Sequence, residues 1–368
     1  MKATRILTAL AAALILIFPN AAAETEDIYT LYDSAGQRLT LRAGQMYIGD
    51  EYISGDNRHY RIVSVDDGSR TAVAELLGES QADPAALMSF LSLNASAEEK
   101  SEKAKGDGKK LICMYSTHSD ESYLPEDGES SKWENAGIYD VGNALKDELE
   151  KLGVDVIYSE ESFLPHDAEA YNRSRGTAAE LLKKGPDALL DIHRDAIPAE
   201  EYETEVDGED ISMVRLFVGR SNQNSAANKA FAQQIKKVAD EEYPGLIKDI
   251  YIGKGNYNQE LYPQALLLEF GTHKIEKDKA IGATKYIADV LDNVLYGGAA
   301  NAETAAKTKT KPAVKGIFIA VGLAVLGAAV YAVASTGSFG GMWNKLRRGA
   351  SEITGGMAGK KPDDRDKK

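Results

Sequence analysis

Between residues 111 and 294 the chain alternates short apolar runs of strand length with longer stretches of helical period, and few folds satisfy that alternation. Strands are expected over 111–116, 154–158, 188–192, 211–218 and 265–269, and helices over 136–152, 169–184, 223–242 and 276–294. In the first helix Ile138, Val141, Leu145 and Leu149 fall on one side, and Gly153 ends it. Gly185-Pro186 ends the second. The pattern implies an α/β domain, a mostly parallel sheet covered by helices. In such sheets ligands bind beyond the C-terminal ends of the strands.

Three of the strands end on side chains that bind metals or move protons. Leu111-Ile-Cys-Met-Tyr-Ser-Thr leads to His118 and Glu121, Asp187-Ala-Leu-Leu-Asp-Ile to His193, and Ala265-Leu-Leu-Leu to Glu269. With only five His in the chain, two at strand ends carry weight. His118 and Glu121 cannot face one way along an extended strand, whose side chains alternate, but a turn just after the strand can aim both at one ion. With His193 they form a set of two imidazoles and one carboxylate that leaves a fourth position open, as catalytic zinc requires. Glu269 is then a general base for the attacking water, although the roles of Glu121 and Glu269 can be exchanged. Asp191 and Asp195 flank His193 and can orient its ring. Arg194 can steady an oxyanion or a substrate carboxylate, or make a surface ion pair. His273 is a spare ligand, and His166, beside Pro165 in a loop, faces substrate or solvent.

The rest of the chain frames this domain. Residues 24–93 read as a small β-rich domain with strands around Arg38-Leu-Thr-Leu-Arg, His59-Tyr-Arg-Ile-Val-Ser-Val and Thr71-Ala-Val-Ala-Glu, with no chemical constellation, and His59 is expected to be exposed. A linker covers 94–110, and the zinc hydrolase domain 111–297. Residues 1–23, with a basic start, an apolar stretch from Ile6 to Phe18 and small residues before Glu24, read as a signal peptide. After a tether over 298–314, residues 315–335 read as a transmembrane helix: Gly316 to Ala334 carry no charge and, at about 1.5 Å per residue, nearly match a hydrocarbon core of roughly 30 Å. The tail over 336–368 is basic, which favours keeping it in the cytoplasm and the catalytic body outside. The net charge of −14 argues against nucleic-acid binding. The lone Cys113, inside an apolar run, is expected to be a buried small hydrophobe.

The blocks Tyr115-Ser-Thr-His118-Ser-Asp-Glu121-Ser-Tyr-Leu-Pro125, Tyr171-Asn-Arg-Ser174, Asp191-Ile-His193-Arg-Asp-Ala196 and Leu268-Glu269-Phe-Gly271 resemble the stage II sporulation protein P family, zinc-dependent peptidoglycan hydrolases related to N-acetylmuramoyl-L-alanine amidases. The resemblance covers roughly 110–295. It implies that His118 and His193 bind Zn2+, that Glu121 is the third ligand and that Glu269 is the catalytic glutamate. It further implies cleavage of the amide between the lactyl group of N-acetylmuramic acid and L-alanine in septal wall thinning and engulfment, with cutting of peptide cross-links as a second activity described for the family. Stage II sporulation protein D and a membrane scaffold are the partners it suggests. Two features depart from the family: Ser116 stands where members often carry a further His, and a C-terminal helix adds to the usual N-terminal membrane segment. The residues also suit a zinc carboxypeptidase-like peptidase, and an inactive wall-binding scaffold would keep the same fold.

Overall fold

The alternation of strand and helix is realised in a computed structural model, which describes residues 27–80 and 110–297. The strands are β1 Ile28–Asp33, β2 Arg38–Ala43, β3 Glu51–Ile53, β4 Arg58–Asp66, β5 Thr71–Glu79, β6 Leu111–Tyr115, β7 Asp155–Tyr158, β8 Ala188–Asp195, β9 Glu203–Val206, β10 Glu209–Ser212, β11 Val214–Gly219, β12 Ile247–Gly253 and β13 Ala265–Thr272. The helices are α1 Leu124–Asp127, α2 Gly137–Lys151, α3 Ala170–Leu182, α4 Ser225–Glu242 and α5 Lys277–Tyr296. Eleven strands form one sheet in the order β2-β1-β5-β4-β3-β12-β11-β13-β8-β6-β7, and β9 and β10 make a separate ribbon.

From β7 through β6 and β8 to β13 the strands are parallel, as the alternation requires. β11 runs antiparallel to β13 and parallel to β12. The sheet of this segment is thus mostly parallel, as expected, and the connections explain its one antiparallel junction. No α-helix carries the chain back between β8 and β11, only a turn of 3-10 helix at Ala199–Glu201 and the ribbon β9–β10, so β11 starts at the end of the sheet where β8 finishes. The strand expected over 211–218 is accordingly broken at Met213, and β12, β1 and β3 were not foreseen. Strands β1 to β5 are β-rich as expected, but β3 pairs with β12 and so continues the sheet formed by residues 111–272.

Side chains alternate between the two faces of each strand. On one face Ile112, Met114, Leu190, Ile192, Leu216 and Leu268 form the main core with α2, α4 and α5. Ile138, Val141, Leu145 and Leu149 of α2 are fully buried there. Each contributes roughly 1.5–3 kcal/mol from burial. On the other face Cys113, Tyr115 and Leu189 pack on α3, while Phe217, Tyr251 and Leu267 pack against the β1–β5 segment. Although β2 is the far edge of the sheet, Arg215 of β11 donates to the Leu41 carbonyl and Thr40 hydroxyl of β2, each at 2.9 Å. The sheet therefore rolls back on itself over this second face. Between α3 and the rolled-over strands it is lined by polar side chains.

Among the described residues no helix is long and apolar enough to cross a membrane. The signal peptide, tether, transmembrane helix and basic tail expected from the sequence lie outside the described residues, as does nearly all of the linker.

Candidate active site

Residues Asp191, His193 and Asp195 occupy alternate positions of β8 and so project to the polar face. The register across the sheet extends this row: His193 pairs with Glu269 of β13, Glu269 with Arg215 of β11, and Arg215 with Asp249 of β12. Four neighbouring strands thus place imidazole, carboxylate, guanidinium and carboxylate side by side. His118 and Glu121 reach the row from the turn after β6, closed by the Glu121 N–H donating to the His118 carbonyl at 3.1 Å.

That turn brings His118, Glu121 and His193 together, with one donor atom of each within 4.8 Å of the others. Glu121 Oε1 lies 3.2 Å from His118 Nδ1 and 3.3 Å from His193 Nδ1. Charge-assisted hydrogen bonds are shorter, about 2.7–2.9 Å. Donors about 2.0–2.1 Å from a tetrahedral ion instead stand roughly 3.3–3.4 Å apart, so the spacing fits a shared metal. Glu121 Oε2 accepts the Arg194 N–H at 2.8 Å, which leaves Oε1 as the single donor. The cluster is compatible with a metal site that keeps a position open toward the cavity.

The protonation preferences fit the same picture. Burial holds the His118 imidazole down, to about 4, against the pull of Glu121. Burial also opposes charge on His193, but Asp191 and Glu121 overcome it and hold that imidazole well above its usual range. Burial raises the Glu121 carboxyl, yet His193, His118 and Arg194 keep it well below the usual carboxylate range. Glu121 is thus held as a carboxylate and His118 as a neutral imidazole, the forms in which each can ligate a metal.

A supporting shell fixes these groups. Asp191 Oδ1 lies 2.9 Å from His193 Nε2, out of line for a hydrogen bond, and accepts the Thr117 N–H at 2.8 Å. Its Oδ2 accepts the Thr117 hydroxyl at 2.7 Å, and that hydroxyl meets Ser174 at 2.9 Å. Asp195, expected beside Asp191 as a partner of His193, instead accepts the Tyr202 hydroxyl at 2.9 Å and Arg215 Nη1 at 2.8 Å. Tyr202 also stands 3.0 Å from Glu269 Oε2. One phenolic proton therefore sits between two carboxylates, with Arg215 Nη1 3.8 Å from Glu269 Oε2. Burial, then the charge of Asp195, push the Glu269 carboxyl up to about 8, while Arg215 and Tyr202 pull it down.

Beyond Glu269 the chain bulges, and Gly271 adopts a φ of +69°. A Cβ there would meet Ser212 Oγ at 2.7 Å and Ile275 Cγ2 at 2.8 Å. Tyr123, from the same block as His118, donates to the Phe270 carbonyl at 2.8 Å and ties the bulge to the His118–Glu121 turn.

The other candidates divide. Arg194 lines the cavity, but its Nη2 donates to the Ser130 carbonyl at 2.9 Å and its Nη1 to the Asp195 carbonyl at 3.4 Å. His166 stacks on His118 with ring centroids 4.0 Å apart and bonds Asp120 Oδ1 at 3.0 Å, so it buttresses the His118 ring. His273 is not among the clustered donors: its N–H donates to the Asp195 carbonyl, and its ring contacts Thr272. Ser116 is buried against the Tyr158 hydroxyl at 2.8 Å. Cys113 is buried as expected, which pushes its thiol up to about 11.

A cavity of about 640 Å³ opens on the row, lined by His118, Glu121, His193, Arg194 and Glu269 on one side and by Tyr29, Arg42, Gln45 and Asp67 on the other. The β1–β5 segment is therefore a wall of the site, contrary to the expectation that it carries no chemistry. Its His59 is also not exposed but bonded to Glu51 at 2.8 Å, beneath Lys229 of α4. Arg215 and Tyr202 were missed as well. A lone charge inside the apolar run Val214-Arg-Leu-Phe-Val was the available signal for Arg215; nothing local marks Tyr202.

A family model described as stage II sporulation protein P matches residues 70–292. The stage II sporulation protein P of Bacillus subtilis (strain 168) is 26% identical over 219 residues, which cover 54% of this chain and 55% of the relative. The chain spans about half the length of that curated relative. Among solved structures it is similar to the N-acetylmuramoyl-L-alanine amidase AmiC2 of Nostoc punctiforme, at 12% identity and a TM-score of 0.34, over 52% of this chain and 98% of that one. It is also similar to the CwlD amidase of Clostridioides difficile in complex with the GerS lipoprotein, at 13% identity and a TM-score of 0.36, over 51% and 98%.

Proposed function

Because the chain belongs to the stage II sporulation protein P family, we propose that it is a zinc-dependent peptidoglycan hydrolase of sporulation that cleaves the N-acetylmuramoyl-L-alanine amide. The observation that carries the chemistry is the register of Glu269 against His193, with His118 and Glu121 folded over the same strand end. His118, Glu121 and His193 would hold the metal, which supplies Lewis acidity, lowering the pKa of water toward about 7 and polarising the scissile carbonyl.

The chain's own residues do the remaining work. Glu269, 15% exposed, faces the cavity and takes a proton from the attacking water, then returns it to the leaving amine. Its opposed neighbours suit both halves of that cycle: Asp195 and burial favour the acid, Arg215 and Tyr202 the base. Positive charge at the triad adds to the second pair. Asp191 backs His193, and the Arg194 N–H fixes Glu121 in single-oxygen geometry. Arg194 Nε is buried without a partner in the cavity wall, which supports a role for this side chain in steadying the carbonyl oxygen as it gains charge. Placement outside the cytoplasmic membrane, at a sporulation septum with stage II sporulation protein D and a scaffold, draws on the family and on the apolar and basic segments at the two ends of the sequence. Additional endopeptidase activity is the finer alternative for the same site.

Digestion of purified sacculi with the metal-loaded protein tests the reading. Peptide stems freed from glycan with new L-alanine amino termini are expected, with loss of activity in Glu269→Ala and after chelation. Release of terminal residues from peptides with intact glycan–stem linkages would point to a carboxypeptidase and overturn the amidase assignment.

A further inference from the structure

Arg42 is a cation in the wall of the catalytic cavity with which no carboxylate among the described residues forms an ion pair. It stands on β2, in register with Tyr29 of β1, and both line the cavity with Glu269 and His193. Its guanidinium lies over the rings of Phe217 and Tyr251, 5.4 and 5.0 Å from their centroids. Among the described residues its side chain makes a single hydrogen bond, from Nη1 to the Gln45 carbonyl, and its Nε is buried without a partner. The nearby acids are hydrogen-bonded elsewhere, Glu269 to the Tyr202 hydroxyl at 3.0 Å, so it acts on Arg42 only through its charge. Asp50 takes Arg220 at 2.8 Å, the Lys254 N–H at 2.9 Å and the Tyr251 hydroxyl at 3.0 Å. Asp67 takes the Tyr29 hydroxyl at 2.8 Å and Gln45 Nε2 at 3.2 Å. The aromatic floor and the Gln45 carbonyl thus hold a planar donor fork whose charge is left over.

We propose that Arg42 is a specificity-determining residue that binds a free carboxylate on the peptide part of the substrate. This rests on the amidase reading for the choice of ligand: in an N-acetylmuramoyl peptide the lactyl carboxyl is consumed in the scissile amide, so any free carboxylate belongs to the peptide. With the scissile carbonyl at the His118–Glu121–His193 end, the peptide extends across the cavity toward the β1–β5 wall. A guanidinium fork matches a carboxylate with two parallel N–H···O bonds, which a carboxamide cannot reproduce. The rolled-over segment would then select the stem, while the parallel strands carry out the cleavage.

Binding of the released stem peptide, measured by titration calorimetry on the metal-loaded protein, tests this without requiring turnover. The peptide is prepared in two forms, with free carboxylates and with carboxamides. The wild type is expected to bind the acid form more tightly by about 10- to 100-fold, the factor that hydrogen bonds to a charged group supply. Arg42→Gln should lose that preference, and Arg42→Lys, which keeps the charge without the fork, should retain part of it. An unchanged thermal midpoint in Arg42→Lys secures the comparison if the glutamine variant folds poorly. Equal affinity of the wild type for both forms, no affinity for either, or an undiminished preference in Arg42→Gln overturns the proposal. Failure to cleave sacculi with the acid preference intact would instead refute the amidase reading alone.

Discussion

Replacing Arg215 with Met should be the most damaging single change in the sheet, and the reason is charge rather than volume. Arg215 is fully buried and spans three elements. Its Nε and Nη2 grip Asp249 at 2.6 and 3.0 Å, Nη1 holds Asp195 at 2.8 Å, and Nη2 also serves Thr40 and the Leu41 carbonyl. Methionine fills a similar space but leaves Asp249 with only the Thr40 hydroxyl at 3.3 Å. Asp195 fares better, since the Tyr202 hydroxyl and the Ala196 N–H, at 2.7 Å, remain. Removing one partner of a buried ion pair costs about 3–5 kcal/mol, and the Leu41 carbonyl, left to share the one Thr40 hydroxyl proton with Asp249, places this case near the upper end. For a domain of 150–250 residues roughly 4 kcal/mol lowers the thermal midpoint by about 8–16 °C. Neutralising the stranded carboxylate should reverse part of this, so Arg215→Met with Asp249→Asn should recover about 2 kcal/mol and be non-additive. Thermal unfolding of the two single variants and the double variant at pH 7 measures both. A loss below about 1 kcal/mol, or strict additivity, would refute the claim that this cation compensates buried charge. Because Arg215 also pulls the Glu269 carboxyl down, Arg215→Met should shift the alkaline-requiring limb of the activity profile to higher pH.

Three further outcomes follow from the same contacts. Burial disfavours charge on Glu51, but hydrogen bonds from His59, Lys229 and Arg61 hold its carboxyl well below the usual range. The stabilisation is therefore complete above the unfolded value of about 4.3 and disappears as pH falls through the depressed folded one. Glu51→Gln should cost about 2 kcal/mol at pH 7 and progressively less on acidification, and a pH-independent difference in urea midpoints would contradict this. Asp191→Asn should weaken metal binding about 10- to 100-fold in competition with a chelator, whereas unchanged affinity would show that Asp191 does not support His193. Gly271→Ala should cost roughly 1–3 kcal/mol and lower kcat by displacing Glu269, which steady-state kinetics would detect; a fully active, equally stable variant would mean that the bulge tolerates a Cβ.

The sequence made the strands that bear His118, His193 and Glu269 legible because each apolar run ends abruptly on a functional group, and burial on both faces enforces such runs. Register, however, is set by pairing between distant segments and leaves no local mark. The reversal of β11 depends on what connects it to β8, and periodicity is the same for either direction. The pairing of β3 with β12 joins residues about 200 positions apart, so a segment that reads as a separate β-rich domain becomes a wall of the cavity. Asp195 illustrates the limit at the scale of one side chain. Its alternation with His193 gives the correct face, but only the neighbouring strands reveal that it serves Tyr202 and Arg215.

The rolled-over sheet also orders events in time. During synthesis β3 emerges long before β12, its partner, and until Ile252 is made the Glu51–Ile53 edge has no strand on that side. Such an edge is a template for mispairing, and contacts this distant in sequence close slowly. A fragment starting at residue 110 would carry the complementary defect: an open β12 edge and an Arg215 deprived of its Leu41 acceptor. Strands β3 and β12 must therefore meet before the cavity exists, so partly synthesised chains lack the complete row of side chains and its opposite wall.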